Sequence, residues 1–395
     1  MGEYCNGQLM DGVLVIRLAG RIDSANAAVV QEELDALRAR YPAEAVTLDA
    51  DELSYISSAG LRVLLRLRKA CREMKIINVS SEIYGIFEMT GFTEMFTIEK
   101  GYRRISVEGC EVIGKGANGE VYRIDPDTIV KVYENPDSLP DIRHERELAR
   151  KAFVLGIPTA IPYDVVRVGN TYGSVFELLN AKSFSKIIME EPGRMEEMIH
   201  LYADLLKKIH ATEVDPADMP DIKPVALKWV GDIKGEVPEE TWEKLHALVE
   251  AVPENHHMLH GDYHTKNVML QDGEALLIDM DTLSRGDPVF EFAAMFNAYK
   301  GFYDGRPPVT GPSFLGITYE QGLTVFEETL KLYFGTEDEK LLTAVKEKAA
   351  LIGYARLLRR ILRRSGVKNA EDQAAVDYLK GAITELTGRI DTLAL

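Results

Sequence analysis

Apolar positions along the first hundred residues recur with two alternating periods. Val13-Leu-Val-Ile-Arg-Leu18 reads as a short strand ending at Gly20. Ser24 is placed to cap a helix running to about Arg40, with Val29, Val30, Leu34 and Leu37 at helical spacing. Val46-Thr-Leu48 is the next strand, and Gly60 to Lys69 the next helix, with Arg62, Arg66 and Lys69 on one face. Lys75 to Ser80 is again a strand, and Ser81 to Met89 a last short helix before Gly91. This alternation predicts a small α/β unit with helices packed on a sheet.

Near residue 105 the pattern changes to hairpins. Cys110–Ile113 and Glu120–Ile124 flank a glycine loop, and Asp125-Pro-Asp127 turns into Thr128–Tyr133. Tyr163–Val168 and Thr171–Leu179 are joined by Gly169-Asn170, a strong hairpin signal. One helix, about Ile142–Leu155, interrupts these strands. After residue 185 the periodicity is helical, broken by His260–Asp281. The 395 residues, at about 100–200 per domain, divide on this reading into 1–104, 105–180 and 181–395.

Composition narrows the classes. No apolar run approaches a membrane span, and no export signal is visible. Cys5, Cys71 and Cys110 are odd in number and lack paired spacing, which argues against a disulfide framework or zinc site and fits a reducing cytoplasm. Net charge is −17. Residues 1–104 hold 13 Lys and Arg against 15 Asp and Glu, so nearly all the excess negative charge lies beyond them. Binding to a phosphate backbone needs clustered positive charge, so nucleic acid is not an expected partner.

The glycines Gly114-x-Gly116-x-x-Gly119 lie between two strands, not between a strand and a helix. That context fits a loop covering ATP phosphates rather than a dinucleotide site. Lys131, apolar on both sides within the third strand, calls for an anionic partner. Glu145 and Glu147 on the following helix compete for that role. Glu145 has Leu148, Ala149 and Ala152 on its face, whereas Glu147 has Arg150, Lys151 and Val154, so Glu145 is expected to be the buried one.

The segment His260-Gly-Asp262-x-x-x-x-Asn267, followed by Ile278-Asp279-x-Asp281, closely resembles the aminoglycoside phosphotransferase and choline kinase group, distant relatives of protein kinases. The match is collinear from the glycine loop through Lys131, Glu145, Asp262, Asn267 and Asp279. The resemblance implies a bilobal fold, with an antiparallel-sheet N-lobe and a mainly helical C-lobe, and ATP and Mg²⁺ as cofactors. It also implies that Asp262 orients or deprotonates an acceptor hydroxyl and that Asn267 and Asp279 hold Mg²⁺, with Asp281 a second carboxylate beside it. Phe176-Glu177-Leu178-Leu179 resembles the hinge whose backbone binds adenine. His260 and His264 read as structural, and Asp287 as a helix cap. Lys115 and Lys266 read as solvated lysines. The aromatic run from Phe290 to Tyr303 reads as core packing more readily than as the wall of an acceptor pocket.

Residues 8–100 resemble the STAS domain, the α/β fold of anti-sigma-factor antagonists. The resemblance rests on Val13–Asp23, Leu48–Arg62 and Ile86–Phe92. It implies a phosphorylation switch at Ser58 and a protein partner. Here Ser57 stands where that family has Asp, which weakens the match to the usual partner kinase. The plainer reading is that Ser57 or Ser58 caps the helix, contributing about 1 kcal/mol. The whole chain thus reads as a kinase that phosphorylates a hydroxyl acceptor, governed by a STAS module. The alternative is an anti-anti-sigma-like regulator whose kinase half binds ATP without turnover. The acceptor itself is left open between small molecules and protein serine.

Overall fold

The computed structural model describes residues 2–116, 119–307 and 312–395. Backbone packing divides the chain into two compact units: residues 1–110 with 132–136 and 165–173, and residues 111–131, 137–164 and 174–395.

The first unit runs β1 (Cys5–Met10), β2 (Val13–Ile22), α1 (Ala27–Arg40), β3 (Ala45–Ile56), α2 (Ser58–Lys69), β4 (Glu73–Val79), α3 (Ser81–Met89), α4 (Phe92–Met95) and β5 (Thr97–Lys100). Its sheet has the order β1-β2-β3-β4-β5. β2 to β5 are mutually parallel, a pairing that requires crossovers, and the helices supply them. Leu14, Ile16, Leu18, Leu48 and Ile76 alternate onto the face the helices cover, each 1% exposed or less. Each fully buried side chain of this size contributes about 1.5–3 kcal/mol.

Several expectations for this unit need correction. β1 was not anticipated. It pairs antiparallel with β2 through Asp11-Gly12, both at positive φ (49° and 81°), a hairpin signal present in the sequence. β2 continues past Gly20 to Ile22, because Gly20 takes φ 70° at a register shift instead of ending the strand. β3 spans twelve residues rather than three. Ser24 does not cap α1. Asn26 occupies that position without a capping bond, its side chain turned back to Asp23 and Arg21. α3 matches its expected range.

Next come β6 (Arg103–Ile105), β7 (Glu111–Gly116), β8 (Gly119–Asp125), β9 (Thr128–Tyr133), α5 (Leu139–Val154), β10 (Asp164–Val168) and β11 (Thr171–Glu177). They make a sheet in the order β6-β10-β11-β9-β8-β7. Ala117 and Asn118, inside the glycine loop, lie outside the described residues.

The remainder holds β12 (Lys182–Ser183), α6 (Phe184–Glu190), α7 (Met195–Ala211), α8 (Ile222–Gly231), α9 (Glu239–Glu250), β13 (Met258–Leu259), β14 (Val268–Gln271), β15 (Glu274–Leu277), β16 (Ser284–Arg285), α10 (Pro288–Phe296), α11 (Tyr319–Phe334), α12 (Glu339–Arg360) and α13 (Ala370–Arg389). A π-helical turn, Asn297–Gly301, extends α10, and another, Ile361–Ser365, extends α12. Phe290, Phe292, Phe296 and Tyr299 are core residues, so they do not wall a pocket; Phe302 and Tyr303 are half-buried. Among the described residues no helix is long and apolar enough to cross a membrane.

Candidate functional site

Lys131 sits on β9 with its neighbour Val130 fully buried, and its ammonium is drawn toward carboxylates from two other stretches. Nζ lies 3.1 Å from Glu145 Oε1 and 3.3 Å from Oε2, and 2.9 Å from Asp279 Oδ1. Glu145 is nearly buried on the inner face of α5, together with Leu148, Ala149 and Ala152. Glu147 points outward and pairs with Lys151 at 3.0 Å. The apolar spacing around each glutamate accounts for the difference. Asp279 has φ 63°, a left-handed conformation that side chains other than Gly, Asn and Asp rarely take.

The His260–Asn267 loop is pinned at every turn. His260 and Gly261 both donate their backbone N–H to the Glu291 carboxylate of α10, the latter at 3.0 Å. Asp262 N–H donates to His260 Nδ1 at 3.3 Å, which places the imidazole proton on Nε2, facing Ile278 O at 3.3 Å. Gly261 has φ 81°, and a Cβ there would stand 2.5 Å from Thr282 O, so glycine is required. Asn267 Nδ2 donates to Asp262 O at 3.0 Å and reaches Oδ2 at 3.4 Å. Beneath the loop, Thr265 N–H donates to Tyr299 OH, which donates to Tyr202 OH, which in turn donates to Tyr263 O, each at 3.0 Å.

The charges in this pocket are strongly coupled. Burial by itself raises the Asp262 carboxyl, but the hydrogen bond and charge of His264, with His260 and Arg356, outweigh it and hold the group at about 2. His264 Nε2 lies 3.5 Å from Asp262 Oδ2. Burial first, and then the Asp279 carboxylate, push Asp281 up to about 7 against the pull of Lys131, with Glu145 and Asp262 adding to the rise. Lys131, Glu145, Asp262, Asp279 and Asp281, drawn from four stretches of chain, therefore share one electrostatic environment. The Lys131 ammonium is shared by Glu145, Asp279 and Asp281, while Asp262 answers to His264, His260 and Arg356.

That excess suits a hard divalent cation, which takes oxygen ligands. With its Nδ2 committed to Asp262, Asn267 has Oδ1 as its remaining oxygen donor. Among the described residues no three His, Cys, Asp or Glu side chains form a metal cage by themselves. An ion here would share its ligands with Asn267 and with phosphate oxygens, as Mg²⁺ commonly does at nucleotide sites.

The other candidates are placed as follows. Gly114 pairs with Val121 and Gly116 with Gly119 across the β7–β8 hairpin. Lys115, read as solvated, pairs with Glu120 at 2.6 Å across that hairpin. Lys266 donates to Phe314 O at 3.1 Å. Glu177 ends β11 with its side chain exposed. Leu179 is half-buried in the stretch that follows, where Leu178 N–H donates to Asp127 O at 2.8 Å. Asp287 caps α10, accepting from Val289 N–H at 3.0 Å. Ser58 is the exposed first residue of α2, in the first unit. Ser57 caps that helix, its Oγ accepting from Ala59 N–H at 3.2 Å.

Sequence reading missed Glu291, Tyr202 and Arg356. Glu291 carried a signal: it is the one charged residue in a helix that is otherwise apolar all round, and such a charge needs buried partners. Tyr202 and Arg356 carried none, since their partners lie far along the chain.

Comparison with known proteins agrees with this geometry. An ADP-bound aminoglycoside phosphotransferase, APH(2'')-Ib, shares the fold at a TM-score of 0.50 and 16% identity, covering 70% of this chain and 93% of its own. The apo form of a thermostable mutant of aminoglycoside phosphotransferase APH(4)-Ia does so at 0.50 and 13%, covering 71% and 94%. At the other end, BtrV of Bordetella bronchiseptica, which carries the name of an anti-sigma factor antagonist, is 37% identical over 93 residues, 22% of this chain and 79% of its own. The anti-sigma-B factor antagonist of Listeria monocytogenes is 31% identical over 90 residues, 21% of this chain and 76% of its own. Residues 6–104 match the STAS domain. Residues 109–311, more than half of the chain, match the phosphotransferase enzyme family, and the protein is a member of that family carrying an N-terminal STAS domain.

Proposed function

We propose that this chain is a Mg-ATP-dependent phosphotransferase that moves the γ-phosphoryl group of ATP to a hydroxyl acceptor, with its STAS domain as a regulatory module that binds a protein partner. One observation carries the reading: the Lys131 ammonium lies between Glu145 and Asp279, within the field of Asp281, whose carboxyl also feels Asp262. Phosphoryl transfer asks a protein for positioning and charge neutralisation more than for covalent chemistry. In this reading Lys131, held by Glu145, orients the triphosphate, and Gly114, Gly116 and Gly119 let the backbone approach it. The backbone around Glu177 and Leu179 takes the adenine. Asn267 and Asp279 would hold Mg²⁺, with Asp281 beside them. When bound, the ion supplies neutralisation of the phosphate charge.

Asp262 would accept the acceptor's hydroxyl hydrogen bond. A carboxylate held at about 2 is a weak base, so its work is orientation. It receives the proton only as the new O–P bond forms. In the STAS domain, Ser58 is the proposed switch. It is exposed at a helix start, where a phosphate is electrostatically favoured and would repel a docked partner.

The full chain with labelled Mg-ATP and a panel of hydroxyl compounds tests the reading. Asp262→Asn should lower transfer by about 10²–10⁴, while calorimetry shows ATP still binding. ATP binding by the wild type with no transfer to any acceptor would overturn the enzyme reading and favour a nucleotide-sensing regulator.

A further inference from the structure

The backbone groups of His260, Gly261 and Asp262 are taken up by side chains. His260 and Gly261 donate their N–H groups to Glu291, and His260 O accepts from Thr282 Oγ1 at 2.7 Å. Asp262 N–H donates to His260 Nδ1, and Asp262 O accepts from Asn267 Nδ2. Gly261 O accepts from Arg356 Nη1 at 3.4 Å. Of these partners Arg356 alone lies beyond residues 109–311, the stretch that matches the phosphotransferase family.

α12 packs against α10, which carries Glu291, and against α8, which carries Trp229. Arg356 stands near the end of α12, one turn past the buried Ile352 and Gly353, with its guanidinium over the Trp229 ring at 4.9 Å. Burial pulls that guanidinium below its ordinary pKa, and the carboxylates of Asp262 and then Glu291 oppose the fall. The same positive charge helps to hold Asp262 low. Arg359, three residues on, pairs instead with Asp232 at 2.7 Å. Of the two, Arg356 is the arginine committed to the His260–Asn267 loop.

The peptide joining Gly261 to Asp262 is planar, so holding its two ends fixes its orientation. Arg356 holds the oxygen, and His260 holds the N–H. Gly261, at φ 81° and closed to a Cβ by Thr282 O, puts the most permissive of residues directly before the proposed reacting group. Rotation at that glycine would turn the peptide plane and swing the direction in which Asp262 leaves the backbone. We propose that Arg356 is a positioning residue for phosphoryl transfer: through the Gly261 carbonyl it holds the peptide that aims Asp262 at the acceptor hydroxyl. The inference rests on the phosphotransferase reading and adds to it a residue outside the family match. Its effect falls on kcat and not on ATP binding, because Lys131, Glu145 and Asp279 are held by one another.

Turnover of labelled Mg-ATP by the full chain, with water or a panel of hydroxyl compounds as acceptor, tests this beside amide exchange read by mass spectrometry. Arg356→Met should lower kcat about tenfold to hundredfold, the scale of a misplacement of roughly 1 Å, with KM for ATP within about twofold of wild type. Exchange should quicken in residues 258–267 and stay unchanged around Lys131 and Glu145. Guanidinium chloride, against matched sodium chloride, should restore part of the activity of Arg356→Ala, which an arginine serving only the fold would not show. Arg363→Gln removes a charge from the turn that extends α12, beside Asp232, and should leave kcat and exchange at wild-type values. An unchanged kcat overturns the proposal. So does a loss without guanidinium rescue that comes with faster exchange throughout the phosphotransferase domain, since that is a folding defect. A wild type without turnover counts against the phosphotransferase reading, and exchange then decides separately: quickening confined to the loop supports the hold of Arg356 on Asp262, and unchanged exchange overturns it.

Discussion

The two parts of this chain bury different chemistry. Among the described residues up to 104, Thr47 is the one polar side chain in the buried class; beyond them lie Glu145, His260, His264, Asn267 and Glu291, all buried. An apolar core such as that of the STAS domain asks only for the right pattern and volume, and it leaves polar groups such as the exposed Ser58 at the surface. A polar core works differently. Each buried donor and acceptor must find a partner, and an orphan costs more than a bond returns. In the phosphotransferase domain those partners come from other stretches of the chain, and satisfying them fixes the backbone that carries Asp262 and Asn267.

The sharpest way to break this contrast is Glu291→Ala. It strands the buried N–H groups of His260 and Gly261, at about 1–3 kcal/mol each. The urea transition of the phosphotransferase domain should lose roughly 2–6 kcal/mol, while the STAS transition stays in place. A loss no larger than a surface substitution gives would show that the polar core is not structural. The pH dependence has a definite sign. Glu291 is held below its ordinary value: burial opposes ionisation, but His210, His260 and Gly261 outweigh it. Its contribution is therefore present above the unfolded carboxyl pKa and is lost as pH falls through the folded one.

A smaller effect of opposite sign belongs to Asp281, whose folded pKa of about 7 exceeds its ordinary 3.8. The folded chain holds this proton more tightly, so without metal or nucleotide its stability declines as pH rises from 3.8 through about 7. Asp281→Asn should remove that decline, and melting temperature against pH in chelator checks it. An unchanged slope would deny that the carboxylates are crowded.

The smallest effect separates the two serines of the STAS domain. Ser57→Ala should lower that domain's stability by about 1 kcal/mol, and Ser58→Ala by no more than about 0.5 kcal/mol. Equal losses in urea titrations would mean that both serve the helix end.

Much of this was legible in order along the chain. The strand–helix alternation, the Gly169-Asn170 turn, the helix face of Glu145 and the Asp287 cap are local. Each follows from side-chain period, turn chemistry or capping within a few residues. The errors were local as well. Asp11-Gly12 is a hairpin turn whose first strand went unread, and Asn26, with its side chain turned back, displaced Ser24 at the start of α1.

What sequence determined alone is which residues have chemistry to offer and which helix faces they occupy, because periods of two and 3.6 residues are properties of a single segment. Folding decided the rest: that Lys131 lies between Glu145 and Asp279, that Glu291 grips the His260–Gly261 backbone, and that Arg356 donates to Gly261 O. Electrostatic energy depends on distance through space and on exclusion of water. Both are set when separate segments pack together, some as far apart as Lys131 and Asp279, 148 residues along the chain, so neither is written in the order of residues along any one of them.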